Sequence, residues 1–328
     1  MPFLLALDAG GTSTRATLVD RTGNCVSYAR AGSGNPISSG TEYASAQLVL
    51  AAEAAVKSAG VAPSHIDSVL MAMAGMSVNA STDWISQPMK KRGFTGAIRL
   101  ESDLLATFFS GTWEPEGYGV VAGTGSAGIR VRRGEVERSA DGLGWLLGDV
   151  GSGFWIGHRV ARAVMATLDG RAGPTGLTAL LLEELGIPAT GQRIVHGRLE
   201  SLRLATDALY RLRPIELSRF APLAFAVADD ATAGSILADA AEALAGLFQA
   251  IASPNVTGPL VLGGSILAQE GVVAQSLSAA AAASGLVTTT HQVPDGMVGA
   301  IVLSLRSAGV EVGADVFQRI VATLAGLR

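Results

Sequence analysis

The chain has 328 residues and a formal net charge of −4; 48% of its residues are hydrophobic, 16% are charged and 41 are glycine. Such a chain buries enough apolar surface to offset the entropy of ordering, which excludes a disordered protein, and its acidic balance gives no basic footprint for nucleic acid. The length corresponds to one large domain or two smaller ones. Glycine makes up about an eighth of the chain, against a usual share near 7%.

The apolar composition predicts neither a membrane span nor a signal peptide. The most apolar stretch, 236–252, contains Asp239 and Glu242, and the short apolar run before Asp8 lacks a basic region. A single cysteine, Cys25, excludes an intrachain disulfide and a cysteine-based zinc site. We therefore expect a cytoplasmic protein without a nucleic-acid or membrane partner.

Predicted strands and helices alternate in the first third of the chain. The apolar run 3–8 is followed by a turn of small residues and by strand character over 15–20, which is the pattern of a β-hairpin. The alternation after it is typical of mixed sheets flanked by helices. The segments predicted there are helix 41–59, strand 69–74, helix 83–92, strand 97–101 and helix 102–109.

The hairpin pattern returns 113 residues later. The apolar run 118–122 is followed by a glycine-rich turn at 123–128 and by a strand over 129–133, so that Gly10 corresponds to Gly123. We expect an internal repeat of strand, small-residue turn and strand. The remaining predictions are mainly helix from 155 to 252, a third strand-to-glycine transition at 260–265, a helix opened by 295–300 and a last helix over 314–327.

Three of these turns follow apolar strands and have the composition of phosphate-binding turns. Glycine lets backbone N–H groups converge on an anion, Ser and Thr add hydroxyl donors, and a nearby Asp can hold Mg²⁺ through water. A tight hairpin without a ligand is the alternative for any one of them. No glycine loop contains the lysine of a Walker A motif, and the G-x-G-x-x-G match at 123–128 continues into a strand, which disfavours a dinucleotide-binding fold.

Five segments together resemble the motifs of the actin-like ATPase and sugar-kinase superfamily. Residues 7–12 (LDAGGT) resemble its first phosphate motif, 123–126 (GTGS) its second, and 262–265 (LGGS) its adenosine motif. Residues 73–76 (MAGM) and 295–300 (DGMVGA) resemble the two connecting helices that cross at its hinge. All five occur in the expected order, and they cover the whole chain.

The segment 142–157 (GLGWLLGDVGSGFWIG) narrows the resemblance to the N-acetylglucosamine kinase family, and within it to bacterial glucosamine kinases of the actinobacterial type. The resemblance implies an α/β, ribonuclease H-like fold of two actin-like lobes, with mixed sheets flanked by helices and a nucleotide in the cleft between the lobes. It also implies an N-terminal lobe over 1–114 and a C-terminal lobe over 115–328, with the last helix, 314–327, able to pack on the N-terminal lobe.

The resemblance implies a role for each position that matches a family motif. ATP and Mg²⁺ would be the cofactors, Asp8 would hold Mg²⁺ through water, and Asp103 would be the catalytic base. The residues expected to contact the nucleotide are Asp8, Gly10, Gly11, Thr12, Thr14, Gly123, Thr124, Gly263, Gly264 and Ser265. Those expected to contact the sugar are Asn35, Asp103, Gly125, Ser126, Trp145 and Asp149.

Two of the acidic residues have structural alternatives. Asp103 opens a predicted helix, where either Ser102 or Asp103 itself would suit the N-cap position. Asp149 lies in a glycine-rich loop, where an Asx turn is the ordinary interpretation. The resemblance favours the base at Asp103 and a sugar contact at Asp149. His158, near a predicted helix start, is interpreted as a capping or surface histidine.

The predicted activity is transfer of a phosphoryl group from ATP to the 6-hydroxyl of an amino sugar, a small-molecule substrate. Glucosamine is favoured because Glu101, Asp141 and Asp149 offer carboxylates to a cationic amine. N-acetylglucosamine, which needs an apolar slot for its acetyl group, is the alternative, and a general hexokinase is less favoured. Proteins of this family are often dimers, so a homodimer is compatible with the resemblance.

Two other classes of protein fit the sequence less well. Related ATPases that activate acyl-CoA dehydratases and reductases share an iron–sulfur cluster between two subunits, which takes two cysteines per chain, whereas Cys25 is alone. Related regulators carry a DNA-binding module before the phosphate motif and have zinc-binding cysteines, whereas here the motif begins at Leu5. A non-catalytic ATPase that binds a partner is retained as a minor alternative.

Overall fold

The apolar runs in both halves of the chain form strands that pair into two mixed sheets. The computed structural model describes residues 3–74, 81–188, 193–195, 197–268 and 271–328. Within them the strands are β1 (Phe3–Ala9), β2 (Thr14–Val19), β3 (Cys25–Ala31), β4 (Ile66–Met73), β5 (Ala97–Ser102), β6 (Gly117–Ala122), β7 (Ser126–Arg132), β8 (Glu135–Asp141), β9 (Ile194–Val195), β10 (Arg198–Leu199), β11 (Gly258–Gly263) and β12 (Val287–Gln292).

Helices cover both sheets and fill most of the chain between β8 and β11. They are α1 (Pro36–Ser39), α2 (Thr41–Ser58), α3 (Asp83–Lys91), α4 (Asp103–Gly111), α5 (Gly153–Leu168), α6 (Leu177–Glu184), α7 (Glu200–Tyr210), α8 (Ala221–Ala226), α9 (Ala231–Ile251), α10 (Val272–Ala283), α11 (Met297–Ser307) and α12 (Ala314–Ala325). Short 3-10 turns span Pro63–His65 and Pro214–Phe220. Of the motif predicted at 73–76, residues 75–76 lie outside the described residues.

The two large sheets have the same topology. The first has the strand order β3-β2-β1-β4-β5, and the second has the order β8-β7-β6-β11-β12. In each sheet the first strand pairs antiparallel with its hairpin partner and parallel with the next central strand: β1 with β2 and β4, β6 with β7 and β11. The internal repeat expected from the offset of 113 residues is therefore present in the sheets.

The helix that closes each repeat packs on the sheet of the other repeat. Helix α11 lies against β1 and β4 of the first sheet, α4 lies against β6 and β11 of the second, and the two helices cross. One buried cluster contains Leu4 of β1, Phe108 of α4, Val261 of β11 and Met297 of α11. A single apolar core therefore joins the two sheets beneath the edge where their parallel strands end.

Gly299 lies where α11 crosses α4, and we expect Gly299→Ala to destabilise the fold. A Cβ there would collide with the carbonyl oxygen of Ala106 and would lie 2.8 Å from the backbone nitrogen of Ser110. Because helix backbones cannot yield as side chains do, the free energy of unfolding should fall by about 3 kcal/mol. Urea unfolding measures this, and an unchanged midpoint would contradict the close crossing.

The matched control for that variant is Gly246→Ala on α9. A Cβ at Gly246 would meet nothing within 4 Å. Alanine is the better helix former, so this substitution should raise the free energy of unfolding by about 0.5–1 kcal/mol. The opposite signs of the two changes separate a collision at the crossing from a general effect of replacing helical glycine.

Two other helices complete the packing of the chain. Among the described residues, α9 is the one helix that is long and apolar enough to cross a membrane by length and composition. One side of it, including Leu244 and Phe248, is buried in the core of the second sheet, where α9 packs on α5 and α10. Helix α12 returns to the first sheet, where the backbone N–H of Cys25 donates to the hydroxyl of Thr323 at 3.1 Å.

Candidate active site

The predicted site residues lie where the parallel strands of both sheets end. Ligands of open α/β sheets bind outside these carboxyl ends. Asp8 lies at the end of β1, Asp103 directly follows β5, Gly123 follows β6 and Gly263 ends β11. The repeat in the fold therefore brings the acidic residues and the glycine turns to one edge of the molecule.

The turn after β1 is closed by its own backbone. The N–H of Gly10 donates to the carbonyl oxygen of Ser13 at 3.0 Å, and the carbonyl of Gly10 accepts from the N–H of Gly34 at 3.3 Å. Gly11 and Thr12, at the tip, are exposed. This arrangement suits a turn whose tip approaches an anion.

Two residues expected to contact ligands are engaged in holding this region. Thr14 is completely buried, and its hydroxyl donates to the carbonyl oxygen of Gly32 at 2.9 Å, so it braces the neighbouring loop instead of offering a donor to phosphate. Asn35 is also buried and caps α1, where its Oδ1 accepts from the N–H of Ile37 at 2.9 Å. The side-chain nitrogen of Asn35 has no hydrogen-bond partner among the described residues, which leaves it for a ligand.

Asp8 is a buried carboxylate surrounded by charged groups. Burial raises the pKa of Asp8 to about 6, and repulsion by Asp295 and Asp103 acts in the same direction. The Nη1 of Arg15 and the N–H of Gly296, both 3.2 Å from its Oδ2, oppose the increase. Asp295 and Asp103 thus lie near enough to repel the charge of Asp8, and a cation beside Asp8 would relieve that repulsion.

The donor set around Asp8 fits Mg²⁺ that arrives with phosphates. No group of three or more His, Cys, Asp or Glu side chains that could hold a metal is present in the described part of the chain. Mg²⁺ commonly keeps several waters and takes one or two carboxylates together with substrate phosphates. The buried carboxylate of Asp8 offers a hard oxygen of that kind, and its role in holding Mg²⁺ through water stays a prediction.

Arg15 and Asp295 belong to this site, and the sequence analysis missed their roles. Arg15 bonds Asp8 through Nη1 and Asp295 through Nε, both at 3.2 Å. Asp295 also pairs with Arg328 at 2.7 Å. Arg15 and Asp295 are 280 positions apart in the chain, so no local sequence pattern indicates that they pair. The sequence feature that could have drawn attention to Asp295 is its place as the acidic residue that opens the 295–300 motif.

The start of α4 shows which of Ser102 and Asp103 caps the helix. Ser102 is the N-cap, and its hydroxyl oxygen accepts from the N–H of Leu105 at 3.4 Å. The carboxylate of Asp103 is therefore not needed to cap the helix. Burial raises the pKa of Asp103, while the backbone N–H of Leu104 opposes this increase. A carboxylate with a raised pKa accepts a proton more readily near neutral pH.

The turn after β6 is held against the first turn of α5. The N–H of Gly123 donates to the carbonyl of Gly125 at 2.9 Å. The carbonyls of Gly123 and Thr124 accept from the N–H groups of Gly153 and Phe154, at 2.7 and 3.0 Å. The second predicted phosphate turn is thus fixed by the segment that carries the 142–157 motif.

The second phosphate turn and the adenosine motif are in direct contact. Gly264 has φ +82°, and a Cβ there would lie 2.5 Å from the carbonyl oxygen of Ala122 and 2.7 Å from the nitrogen of Gly123, so only glycine fits. A cavity of about 690 Å³ opens beside this contact. Its lining includes Gly123, Thr124 and Ser265, together with the apolar side chains of Pro222, Phe225 and Val272.

This cavity has the volume of a small-molecule site and joins polar to apolar surface. Pro222 and Phe225 lie in α8, in a helical segment that carries no glycine turn or other motif. Sequence reasoning therefore could not single them out, because their contribution arises only when the helices between β8 and β11 fold over the second sheet.

Asp149, in the middle of the 142–157 motif, is held beside the second predicted phosphate turn. Its Oδ1 accepts from the N–H of Ser126 at 3.0 Å, so the side chain bridges to another element instead of forming an Asx turn. Asp149 is 6% exposed, and burial raises its pKa, as does the charge of Asp141. Its Oδ2 has no hydrogen-bond partner within the described residues and is free for a ligand.

Gly125 lies against Asp149, and Trp145 precedes Asp149 in the same loop. A Cβ on Gly125 would lie 2.6 Å from the Oδ1 of Asp149, which makes the turn and the carboxylate immediate neighbours. Trp145 is 43% exposed, and its ring packs edge-on against Phe154 with the centroids 5.9 Å apart. The ring of His158 stacks on that of Phe154 with the centroids 5.7 Å apart, and burial lowers the pKa of His158.

Comparison with known proteins places this geometry in a family. The profile described as the BadF/BadG/BcrA/BcrD ATPase family matches residues 5–304. The chain is 29% identical over 170 residues to the glucosamine kinase GspK of Vibrio cholerae; the match covers 52% of this chain and 57% of that protein, little more than half its length. It is 26% identical over 294 residues to the N-acetyl-D-glucosamine kinase of Dictyostelium discoideum, covering 84% and 89%.

Solved structures share the fold. A Chromobacterium violaceum protein provisionally named an N-acetylglucosamine kinase superposes with a TM-score of 0.69 at 24% identity, over 93% of this chain and 99% of that one. A hexokinase of the ROK group from Thermus thermophilus superposes with a TM-score of 0.53 at 20% identity, over 94% and 99%. The predicted α/β fold with two mixed sheets is confirmed. With residues 5–304 matched, the chain belongs to the BadF/BadG/BcrA/BcrD ATPase family.

Proposed function

We propose that this protein is an ATP-dependent amino-sugar kinase that converts glucosamine and ATP to glucosamine 6-phosphate and ADP. The observation that carries the proposal is the buried carboxylate of Asp103, which follows β5 near Asp8 and is not the N-cap of α4 because Ser102 takes that position. Relatives named glucosamine kinase and N-acetyl-D-glucosamine kinase support the same class of reaction. A kinase that uses ATP would act in the cytoplasm, where ATP is available.

Phosphoryl transfer asks a protein mainly for positioning and for stabilisation of charge. Backbone N–H groups at Gly11, Thr12 and Thr124 would face the β- and γ-phosphates, and the cavity beside Gly264 would take the nucleoside. Mg²⁺, when bound with ATP near Asp8, would neutralise charge on the phosphoryl group that is transferred. We place the boundary between the two lobes at 114/115, between α4 and β6. With this division the predicted phosphate turns of the two lobes would face each other across the cleft.

Asp103 would orient the 6-hydroxyl of the sugar and take its proton. The bond from the sugar oxygen to the γ-phosphorus forms, the bond from that phosphorus to the bridging oxygen of ADP breaks, and the proton passes to the carboxylate of Asp103. The free Oδ2 of Asp149 would accept hydroxyl groups of the ring, with Asn35 and Trp145 completing the sugar site.

The charge around Asp149 supports the free amine over the acetamide. Asp141 and Asp149 lie close enough for the charge of one to raise the pKa of the other, so two carboxylates act on the same region. A cationic amine is stabilised there, whereas an acetyl group would gain nothing from the charge. N-acetylglucosamine remains the alternative substrate, and the name of the Dictyostelium relative supports it equally.

The test is a panel of hexoses and amino sugars with ATP and Mg²⁺, followed by ADP release. We expect kcat/KM for glucosamine to exceed that for N-acetylglucosamine by about 10-fold or more, which corresponds to about 1.4 kcal/mol of transition-state discrimination. A preference for the acetylated sugar would overturn glucosamine as the substrate. ADP release that no sugar stimulates would overturn the kinase itself.

A further inference from the structure

The loop at 142–150 carries Trp145 and Asp149 but is not held by a core. Leu143, Leu146 and Leu147 are 64%, 73% and 76% exposed, so apolar burial does not fix its conformation. Asp149, at its far end, has φ +57°, in the left-handed region that non-glycine residues seldom adopt and that aspartate tolerates better than most. Something other than packing must therefore determine where Asp149 lies.

The carboxylate of Asp141 makes the hydrogen bonds that determine this position. Its Oδ1 accepts from the N–H of Asp149 at 2.8 Å and from the N–H of Leu143 at 3.4 Å. Its Oδ2 accepts from the N–H of Val150 at 3.0 Å and lies 3.4 Å from the hydroxyl of Ser126, which donates more closely to the carbonyl oxygen of Val150 at 2.8 Å. One side chain thus joins both ends of the loop to each other and to the β6–β7 turn.

The backbone at both ends is shaped for this contact. Asp141 itself has φ +60°, also in the left-handed region, which turns the chain as it leaves β8. A Cβ at position 148 would collide with the Oδ1 of Asp141, so Gly148 leaves room for the carboxylate. Two aspartates with left-handed backbone and one glycine thus bring the carboxylate of Asp141 against the backbone of the loop.

We propose that Asp141 is a positioning residue that sets the place of Asp149, and through it the affinity for the sugar. The inference rests on the proposed function, since Asp149 is a sugar contact only in that function. With all its oxygens engaged by the protein, Asp141 does not itself bind substrate; it holds the N–H of Asp149 while the side chain of Asp149 reaches Ser126.

The test compares Asp141→Ala and Asp141→Asn with Glu137→Gln, which alters an exposed residue of the same strand. Asp141→Ala removes every acceptor and should raise KM for the sugar about 10-fold or more, with KM for ATP changed about 2-fold or less. Asp141→Asn keeps one acceptor oxygen but turns an NH₂ toward the N–H of Val150, so it should fall between Asp141→Ala and wild type. Glu137→Gln should match wild type.

Amide hydrogen exchange separates this inference from the proposed function. The amides of Asp149 and Val150 should exchange about 10-fold faster or more in Asp141→Ala, with those of α9 unchanged. Unchanged exchange at these two amides would overturn the inference whatever the activity, and so would faster exchange with an unaltered KM for the sugar. If no sugar is phosphorylated by the wild type while exchange behaves as expected, the proposed function fails instead.

Discussion

Asp103→Asn is expected to lower kcat by about 100-fold or more, because general-base catalysis contributes about 10²–10⁴ to the rate. Asparagine has nearly the same shape as aspartate but cannot take the proton of the 6-hydroxyl. Ser102 is the N-cap of α4, so the helix should form as in wild type, and the midpoint of thermal unfolding should not fall, because burial disfavours the charge of Asp103. KM for the sugar should change about 3-fold or less, since the amide can still bond the hydroxyl. Steady-state kinetics with saturating ATP measure both constants.

The pH dependence of the same variant gives an independent check. A base works only when deprotonated, so kcat/KM should fall as the pH drops through the pKa of Asp103, which burial raises above its ordinary value. That acidic limb should disappear in Asp103→Asn. Asp207→Asn, on an exposed helix position, is the control and should retain both the rate and the profile. A variant of Asp103 that keeps more than about a tenth of wild-type kcat would contradict its role as base.

The sheets could be predicted from the sequence because their signals are local. Apolar runs that end in small-residue turns mark β1, β6 and β11, and the offset of 113 residues between β1 and β6 exposes the repeat. Chirality and short connections then leave few ways to pair such strands. Most of the predicted nucleotide contacts lie inside motifs that are continuous in the chain, whereas Asn35 and Asp103 lie outside these motifs and were assigned by the resemblance alone.

The contacts between motifs could not be predicted in this way. The sequence offered Thr14 as a hydroxyl donor for phosphate, but its burial and its bond to Gly32 depend on how β2 and the following loop pack. The salt bridge between Arg15 and Asp295 joins opposite ends of the chain. Asp141 lies at the end of an ordinary strand pattern, and only its left-handed backbone reveals that its carboxylate turns into the loop.

Asp8→Asn is expected to lower kcat by about 100-fold or more and, at neutral pH, to stabilise the ligand-free protein. Asp8 is the carboxylate expected to hold Mg²⁺, and an amide oxygen is a weaker ligand for that ion. Both hydrogen bonds to the Asp8 side chain, from Arg15 and from Gly296, end on Oδ2, so a single amide oxygen can keep them. The substitution therefore removes the buried charge while leaving its neighbours bonded.

The sign of the stability change follows from the pKa of Asp8, which burial raises from 3.8 to about 6. The folded protein binds this proton more tightly than the unfolded chain, so stability falls as the pH rises between these values, and the penalty is complete above about 6. The penalty is at most about 3 kcal/mol. Asp8→Asn should thus unfold at a higher temperature than wild type at pH 7, with a smaller difference at pH 4.5.

Binding of Mg²⁺ and ATP should narrow or reverse the difference in unfolding temperature, because a ligand that binds only the folded state raises its stability by mass action. Wild type should gain thermal stability with MgATP, whereas Asp8→Asn should gain less, so the two unfolding temperatures approach or cross. Asp67→Asn, at an exposed ion pair of the same sheet, should show neither effect. An Asp8→Asn variant that is less stable than wild type at pH 7 would contradict this prediction. It would mean that the charge of Asp8 stabilises the ligand-free fold, so that no unfavourable energy of this charge remains for Mg²⁺ to relieve.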